Sequence, residues 1–255
     1  MPRRYRKQSA AAPPGYFTWE ASGLRWLRDA GGAAVVEVLA IAPGHLDLEH
    51  LTVAVPSHER AELLGRGLAV THGAGAPAFG SGPPGWRGNG WLGPLDEPLP
   101  LPLGEWPTWG AFLATARIAP LVRRGRDRAV LSRADTAVFD RFTATVADGR
   151  YDTGEAPARL HGDLWSGNVL WTPDGAVLID PAAHGGHREA DLAMLALFGC
   201  PHLDRLLAAY DEAAPLADGW RDRVLLHQVH PLLLHAVLFG GSYVGQCVAA
   251  AAAFR

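Results

Sequence analysis

The chain has 255 residues, 48% of them hydrophobic and 19% charged, so it can bury the core of one large or two small domains. Its formal net charge of −3 gives no general attraction for a polyanion, which argues against nucleic acid as a partner. Two cysteines, Cys200 and Cys247, are too few for a disulfide framework, and the apolar runs are too short or too interrupted to cross a membrane, which together predict a cytoplasmic protein.

The N-terminus contains four basic residues between Arg3 and Lys7 but lacks the apolar segment that a signal peptide requires. Lys7 is the only lysine of the chain, whose other 22 basic residues are arginines. In such a chain a lysine indicates a position that needs a compact ammonium group rather than a planar guanidinium. The apolar spacing of residues 19–27 then predicts a helix with Glu20 in its first turn.

The next segments predict two strands and a helix before a long loop. Residues 35–41 and 45–55 are β-rich runs on either side of a Pro-Gly turn, and Ser57 is placed to cap a helix that ends near residue 73. Residues 73–105 are rich in glycine and proline without periodicity, and a loop of this length is usually functional or disordered. Its tryptophans suit stacking on a sugar and pinning the loop to the core equally well.

Apolar stripes predict the remaining helices. They cover residues 107–124, 132–146, 190–198, 203–210 and 220–239. The chain therefore combines an N-terminal region of strands with one helix, residues 1–55, and a mainly helical region, residues 56–255. This order predicts an α+β fold with a small β-rich lobe and a larger helical lobe.

Residues 160–191 carry the strongest chemical signal. They contain His161 and Asp163, an asparagine at Asn168, and Asp180 at the end of an apolar run. Phosphoryl transfer needs a carboxylate that accepts the proton of the attacking hydroxyl, and an amide oxygen and a second carboxylate that bind the magnesium ions on the ATP phosphates. The kinase catalytic loop has the form H-x-D-x-x-x-x-N and is followed by a metal-binding aspartate, so this segment predicts a kinase site.

Local sequence explains how these groups could meet. Residues 161–168 form the predicted catalytic loop. Residues 168–182 form the predicted metal-binding hairpin, because two β-rich runs flank a turn that contains Pro173 and Gly175. The hairpin returns Asp180 to the side where the asparagine leaves the loop, so two oxygen ligands for a hard cation converge there.

The segments HGDLWSGN, IDPA and GHREADLAM resemble the fructosamine kinase (ketosamine kinase) family, a branch of the protein-kinase-like small-molecule kinases that also includes aminoglycoside and choline kinases. The HGD and the later aspartate are shared across that superfamily. Trp165-Ser166-Gly167, Pro181-Ala182 and His187-Arg188-Glu189 are more specific to fructosamine kinases. The resemblance extends from about Lys7 to the C-terminus and implies a bilobal protein-kinase-like fold that uses ATP and Mg²⁺.

The resemblance also assigns a nucleotide site. It makes Glu20 the ion-pair partner of Lys7, which contacts the ATP phosphates, and it places a hinge against the adenine at Glu49, His50 and Leu51. By pattern alone, the lysine could instead belong to a basic tail, the glutamate to a helix terminus and the hinge residues to an ordinary strand. Only six residues precede the lysine, so the glycine-rich hairpin that covers the phosphates in such kinases is expected to be missing, either because the chain starts late or because the protein lacks it.

The implied reaction is phosphorylation of the sugar 3-hydroxyl of a ketoamine, either small or protein-bound, in protein deglycation by a monomeric enzyme. Asp163 would deprotonate that hydroxyl, His161 would brace the loop, and Trp165 would offer an apolar face to the substrate. Three further residues could line the acceptor site, namely His187, Arg188 and Glu189. The last two of these could equally form an internal ion pair.

Three alternatives stay open from the sequence. An aminoglycoside- or choline-type kinase would share the machinery and differ only in its acceptor. A nucleotide-binding remnant without its glycine-rich hairpin would bind magnesium-ATP without turnover, or would not bind it at all. A dinuclear metallohydrolase would draw its ligands from His161, Asp163, Asp180, His184 and His187.

Overall fold

The computed structural model describes residues 3–254 and confirms the predicted α+β class. Its helices are α1 (Tyr16–Arg28), α2 (His58–Gly73), α3 (Trp109–Phe112), α4 (Ala119–Asp127), α5 (Arg133–Ala147), α6 (Glu189–Phe198), α7 (Leu203–Ala213), α8 (Trp220–Phe239) and α9 (Ser242–Ala252). Its strands are β1 (Arg4–Gln8), β2 (Ala34–Val35), β3 (Val38–Ala42), β4 (His45–Glu49), β5 (Gly90–Leu92), β6 (Leu99–Leu101), β7 (Ala158–Leu160), β8 (Val169–Thr172), β9 (Gly175–Leu178) and β10 (His184–Gly186).

The N-terminal region contains a three-stranded antiparallel sheet in the order β1-β4-β3. Side chains alternate between its faces, as they do in any strand. Arg4 and Arg6 of β1 therefore share one face and pair with Asp47 of the neighbouring strand. Lys7 lies on the other face, where it reaches Glu20 of α1.

The structure divides the predicted strand 35–41 between two sheets. Its first part is β2, which pairs in parallel with β9, and its second part is β3, which pairs with β4 and contains a β-bulge. The Val36 amide still donates to the Leu178 carbonyl before the chain changes sheets. The N-terminal sheet is thereby joined through backbone hydrogen bonds to the hairpin that ends at Asp180.

Two other predicted boundaries are corrected. Strand β4 ends at Glu49, so the predicted run 45–55 is a strand only in its first half. Helix α1 begins at Tyr16 instead of residue 19, which puts Glu20 in its second turn and outside the reach of a first-turn dipole contact.

The helical region follows the prediction with two differences. The predicted helix 107–124 is α3 and α4 joined by a π-helical turn (Leu113–Ile118), and α9 lies in a segment where no helix is predicted. None of the helices within residues 3–254 combines the length and the apolar character needed to cross a bilayer.

The Gly/Pro-rich stretch 73–105 is anchored by its tryptophans and by the β5-β6 ribbon. The ring of Trp86 packs 5.3 Å from that of Trp19, centroid to centroid. Trp19 Nε1 also donates to the Trp91 carbonyl at 3.0 Å. These contacts pin the middle of the stretch to α1, so Trp86 serves the core.

Two buried clusters hold the structure together. The first joins α1 and the N-terminal strands to α2, α7 and the β8-β9 hairpin, and the second joins α3, α4 and α5 to α8 and α9. Leu164, in the predicted catalytic loop, belongs to the first cluster, and Ala182, just past the hairpin, belongs to the second. The segment with the strongest chemical signal is therefore anchored on both sides.

Candidate active site

The loop between β7 and β8 is braced by buried hydrogen bonds. The Asp191 carboxylate of α6 accepts from the backbone amides of His161 at 2.7 Å and of Gly162 at 3.0 Å. The His161 Nε2 lies 2.8 Å from the Ile179 carbonyl, so this nitrogen carries the proton and Nδ1 accepts from the Asp163 amide. His161 thus connects the loop to the hairpin, which is the bracing position that the sequence indicates.

Three polar residues converge where the loop meets the hairpin. Asn168 Nδ2 donates to the backbone oxygen of Asp163 at 2.8 Å and to its Oδ2 at 3.2 Å. The same nitrogen lies 3.4 Å from the Asp180 carbonyl oxygen. Because Nδ2 of Asn168 faces Asp163, the Oδ1 of the same amide is available as a cation ligand.

The backbone at Asp180 is unusual. Its φ is 53°, a left-handed conformation that is costly for a residue with a Cβ and is concentrated at functional sites. Asp180 directly follows a hydrogen bond of the hairpin, in which the Ile179 amide donates to the Asn168 carbonyl at 3.1 Å. The turn that ends the hairpin therefore delivers the Asp180 side chain to a fixed place beside the loop.

Lys7 completes the constellation from the N-terminal sheet. Its Nζ lies 2.9 Å from Glu20 Oε2 and 3.0 Å from Asp180 Oδ1. The expected ion pair with Glu20 is therefore present, and the lysine side chain is 13% exposed. Burial alone would lower the pKa of Lys7, but the two carboxylates raise it above its ordinary value, so the ammonium is charged.

Two carboxyl groups here are held in an environment that disfavours their charge. Burial raises the pKa of Asp163 to about 7, against the opposing hydrogen bond from Asn168. Burial also raises the pKa of Glu20, while Lys7 opposes the shift. A carboxylate whose pKa approaches neutrality is a stronger proton acceptor than an ordinary aspartate, which suits Asp163 to general-base chemistry.

A cavity of about 300 Å³, here called the first cavity, opens beside Asp163. Its polar floor is formed by Lys7, Glu20, Asp163, Asn168 and Asp180. Its wall includes Tyr16, Trp91, Pro94, Leu95, Trp165, His235, Leu238 and Phe239. A polar floor under an aromatic and aliphatic wall is the usual composition of a small-molecule site, and this volume accommodates a sugar.

A second cavity, of about 310 Å³, lies on the other side of the lysine. The three predicted hinge residues, Glu49, His50 and Leu51, line it together with apolar side chains of the sheet and the hairpin. Lys7 and Asp180 line both cavities. The two cavities thus meet at the ammonium group and the hairpin aspartate, an arrangement that can bring a phosphate donor and an acceptor together.

The structure does not bring His187, Arg188 and Glu189 to the first cavity. The His187 ring is buried and its Nε2 lies 2.9 Å from the Thr153 hydroxyl. Arg188 forms a bidentate ion pair with Glu155, with Nε 2.9 Å from Oε2. The expectation that these residues line the acceptor site is therefore corrected, because each is engaged in the support beneath α6.

Glu189 pairs with another helix instead of with Arg188. Its carboxylate accepts from Arg223 Nε at 2.9 Å and from His227 Nε2 at 3.2 Å, and the side chain is 3% exposed. Burial would raise the pKa of Glu189, but these two donors lower it to about 2. The ion pair between Arg188 and Glu189 that the sequence allowed is therefore absent, because Arg188 pairs with Glu155 and Glu189 pairs with Arg223 of α8.

We expect Glu189→Gln to destabilise the protein by about 3 kcal/mol at neutral pH, because it leaves the Arg223 guanidinium without its charge partner. The folded pKa lies below the ordinary glutamate value, so this contribution is complete at neutral pH and is lost as the pH falls from about 4.5 to about 2. Urea denaturation of parent and variant between pH 7 and pH 2 measures the difference. A gap that stays constant over this range would contradict the assignment.

Several residues of the first cavity are not predicted from the sequence. Tyr16 precedes the predicted start of its helix, and His235 and Phe239 lie at the end of α8. The rings of His235 and Phe239 are 5.4 Å apart, centroid to centroid, as the i, i+4 spacing on a helix permits. That aromatic spacing is the one signal in the sequence that could have marked this wall.

The metallohydrolase alternative finds no support in the described part of the chain. Within residues 3–254, His187, Glu189 and His227 are the group close enough to share an ion, and this differs from the set that the sequence suggests. Ligand atoms of this group already take part in other interactions. The backbone amide of Glu189 donates to His187 Nδ1, and the Glu189 carboxylate is paired with Arg223. Beside Asp163 the available donors are carboxylate and amide oxygens, which suit Mg²⁺.

The family model described as fructosamine kinase matches residues 4–253. The "Probable ketoamine kinase" of Thermus thermophilus is 34% identical over 241 residues, which cover 94% of this chain and 82% of that protein. The "Probable ketoamine kinase" of Lactiplantibacillus plantarum is 32% identical over 240 residues, covering 89% and 78%.

Solved structures show the same similarity. The crystal structure of a "putative fructosamine-3-kinase" from Thermobifida fusca has a TM-score of 0.90 and 46% identity, and the match covers 98% of this chain and 84% of the other. The ternary complex of streptomycin, ATP and APH(2")-IIa has a TM-score of 0.61 at 10% identity, covering 97% and 84%. The second likeness concerns the fold alone and confirms that the chain has a protein-kinase-like architecture.

Proposed function

The chain belongs to the fructosamine kinase family and is a phosphotransferase that acts on a hydroxyl group, and we propose that it uses ATP to phosphorylate the sugar 3-hydroxyl of small or protein-bound ketoamines. Such a reaction would serve the deglycation of amines. The observation that carries the proposal is that Asp163 lies at the floor of a sugar-sized cavity, next to a second cavity that shares Lys7 and Asp180 with the first.

In this proposal Asp163 is the general base. It accepts the proton of the 3-hydroxyl as the sugar oxygen forms its bond to the γ-phosphorus. The bond from that phosphorus to the bridging oxygen breaks at the same time, and ADP leaves with the electron pair. The Asn168 amide, which donates to Asp163, and the brace through His161 hold the base at a fixed angle to the cavity.

The residues on the other side of the base fit a magnesium ion. Asp180 offers a carboxylate and Asn168 an amide oxygen, a pair of hard oxygen donors, and both line the first cavity. When bound, Mg²⁺ supplies positive charge that offsets the charge of the phosphates. The left-handed backbone of Asp180 is consistent with a side chain held in position for such a ligand.

The second cavity fits the nucleotide. Its apolar lining beside Glu49, His50 and Leu51 suits an adenine, and from there the phosphates would extend toward Lys7. Glu20 keeps the ammonium of Lys7 in place from the side of α1. The sole lysine therefore stands where donor and acceptor meet.

The first cavity offers aromatic surface to a sugar. Trp165, which is 41% exposed, and Phe239, which is 61% exposed, both line it. A sugar can stack on an indole, so these side chains support a sugar as the acceptor.

The test is turnover of ATP with fructosyl-lysine as acceptor. We expect ADP to form only with the acceptor present, and the phosphorus of the product to couple to the proton on sugar carbon 3 in NMR spectra. A 3-deoxy analogue of the acceptor serves as the matched control and should give no product. Phosphorylation at another carbon would refute the 3-position, and release of free lysine after phosphorylation would support deglycation.

A second prediction concerns the nucleotide cavity. We expect Leu51→Trp to raise the KM for ATP about tenfold, because the larger side chain occupies space beside the adenine, a loss of about 1.4 kcal/mol in binding. The KM for the acceptor should stay unchanged. Val53→Trp is the control, since Val53 is 70% exposed and does not line the cavity. Equal ATP KM values for the two variants would remove the hinge from the nucleotide site.

A further inference from the structure

Arg117 is a buried arginine whose charge the proposed reaction does not use. It lies in the π-helical turn between α3 and α4, and the residue is 3% exposed. Its guanidinium carbon stacks 4.4 Å from the centroid of the Phe112 ring, and Nη1 donates to the Pro102 carbonyl at 2.8 Å. π-Helical turns are rare and are often associated with function.

The opposite edge of this guanidinium has no partner. Nε and Nη2 of Arg117 are buried and have no hydrogen-bond acceptor among residues 3–254. In Arg6, Arg188 and Arg223 this same edge binds a carboxylate through two parallel N–H groups. The edge of the guanidinium that recognises anions elsewhere in the chain is therefore open at Arg117.

The charge of Arg117 is also unbalanced. No ion pair joins it to a carboxylate in the described part of the chain. Burial lowers the pKa of Arg117 to about 9, which still leaves the guanidinium charged at neutral pH. An isolated charge in the interior is costly unless a counter-charge accompanies it.

A cavity of about 50 Å³ is lined by Arg117. Its wall also includes Phe112, Gly162, His184 and Asp191. Burial, followed by the nearby charge of Arg117, lowers the pKa of His184 to about 3, so this ring is neutral. Asp191 is turned toward the catalytic loop, where its two oxygens accept from backbone amides.

We propose that this cavity binds a small monovalent anion of the halide type, such as chloride, held by Nε–H and Nη2–H of Arg117. A water molecule needs about 10–15 Å³ of such space, so the cavity has room for a monatomic anion with water but not for a larger oxyanion with its own shell.

The position of the cavity gives the anion a structural role. Gly162 of the catalytic loop borders it, and a Cβ at this glycine would lie 2.3 Å from the Ala182 carbonyl oxygen, so the loop packs tightly there. The same carbonyl lies 2.7 Å from His184 Nδ1. An anion beside Arg117 would thus support the loop that carries Asp163, on the side where Gly162 borders this small cavity.

The direct test is crystallography of the unmodified protein with bromide in place of chloride. We expect an anomalous peak within hydrogen-bonding distance of Nε and Nη2 of Arg117. A map without an anomalous peak in the cavity, with density that fits water alone, would overturn the proposal. Neither outcome depends on turnover, so the test is separate from that of the phosphotransferase.

A solution test uses thermal unfolding at constant ionic strength, with chloride replacing gluconate, which is too large for the cavity. For the parent we expect Tm to rise by about 3–5 °C once chloride exceeds its Kd tenfold. Arg117→Gln should show no chloride response, whereas Arg126→Gln, at an exposed arginine of α4, should respond like the parent. If Arg117→Gln fails to fold, the parent titration decides, and an unchanged parent Tm refutes the site.

Discussion

Replacing Asp163 with asparagine should lower kcat with ATP and fructosyl-lysine by about 10³- to 10⁴-fold, the size of a general-base contribution at its upper end. Asparagine has the shape of the aspartate but cannot accept the hydroxyl proton. The Asn168 amide can still donate to the backbone oxygen of residue 163, at 2.8 Å in the parent, so the loop should keep its conformation. The loss should therefore appear in kcat, with little change in either KM.

The same substitution should not lower stability. Burial raises the pKa of Asp163 to about 7, well above its unfolded value, so the folded state disfavours the charged carboxylate at pH 8. Removing that charge should leave Tm equal to or above that of the parent. A residue that gains stability and loses activity on substitution has a catalytic role, because a structural residue would lose both.

The matched control is Asp174→Asn, in the exposed turn of the β8-β9 hairpin that follows the loop of Asp163. It makes the same chemical change about ten residues further along the chain and should keep the parent rate. Steady-state kinetics and thermal unfolding of both variants give the comparison. Equal kcat values for the parent and Asp163→Asn would remove this carboxylate from its assigned role.

The hairpin from Asn168 to Asp180 could be predicted because its geometry is local. A turn with proline and glycine between two short β-rich runs has few possible conformations, and the register follows from the turn length. The structure pairs Val169 with Leu178 and Thr172 with Gly175 as this reasoning requires. Whether Asn168 and Asp180 converge therefore depends only on about a dozen consecutive residues.

The walls of the two cavities could not be predicted in the same way. His235 of α8 and Tyr16 of α1 meet in the first cavity although more than 200 positions separate them. Such pairs depend on how helices pack, which no periodicity within one helix specifies. For Lys7 and Glu20 the family resemblance supplied the pairing, while the separation of 13 residues alone did not.

For the motif His187-Arg188-Glu189, the sequence suggested a contact with the first cavity that the structure does not contain. Proximity in sequence to Asp180, the predicted metal ligand, suggested the acceptor site, but the chain passes through β10 before these residues and turns them toward α8 and Glu155. A cluster of polar residues in a motif can therefore support the frame as well as the substrate. The buried carboxylate of Glu189 and the guanidinium of Arg223 here join α6 to α8.

The second large effect is expected at Lys7, the only lysine of the chain. Lys7→Met should lower kcat/KM by about 10²- to 10³-fold, since it removes one positive group from the place where the transferred phosphoryl group carries its charge. Lys7→Arg should fail almost as badly. Two carboxylates lie 2.9 and 3.0 Å from the single Nζ, and a planar guanidinium cannot occupy the same space without displacing one of them.

Arg4→Met is the control for this pair of variants, because Arg4 belongs to the same strand but lies on its other, exposed face. It should leave kcat/KM unchanged. A lysine-specific readout is also available, since a nucleotide that carries an amine-reactive group should label Lys7 and no other side chain, and ATP should protect it. Peptide mapping separates this product from labelling of the terminal amine. Full activity of Lys7→Arg, or labelling that ATP does not reduce, would show that the ammonium lies outside the nucleotide site, and the two cavities would then not share the phosphate at their junction.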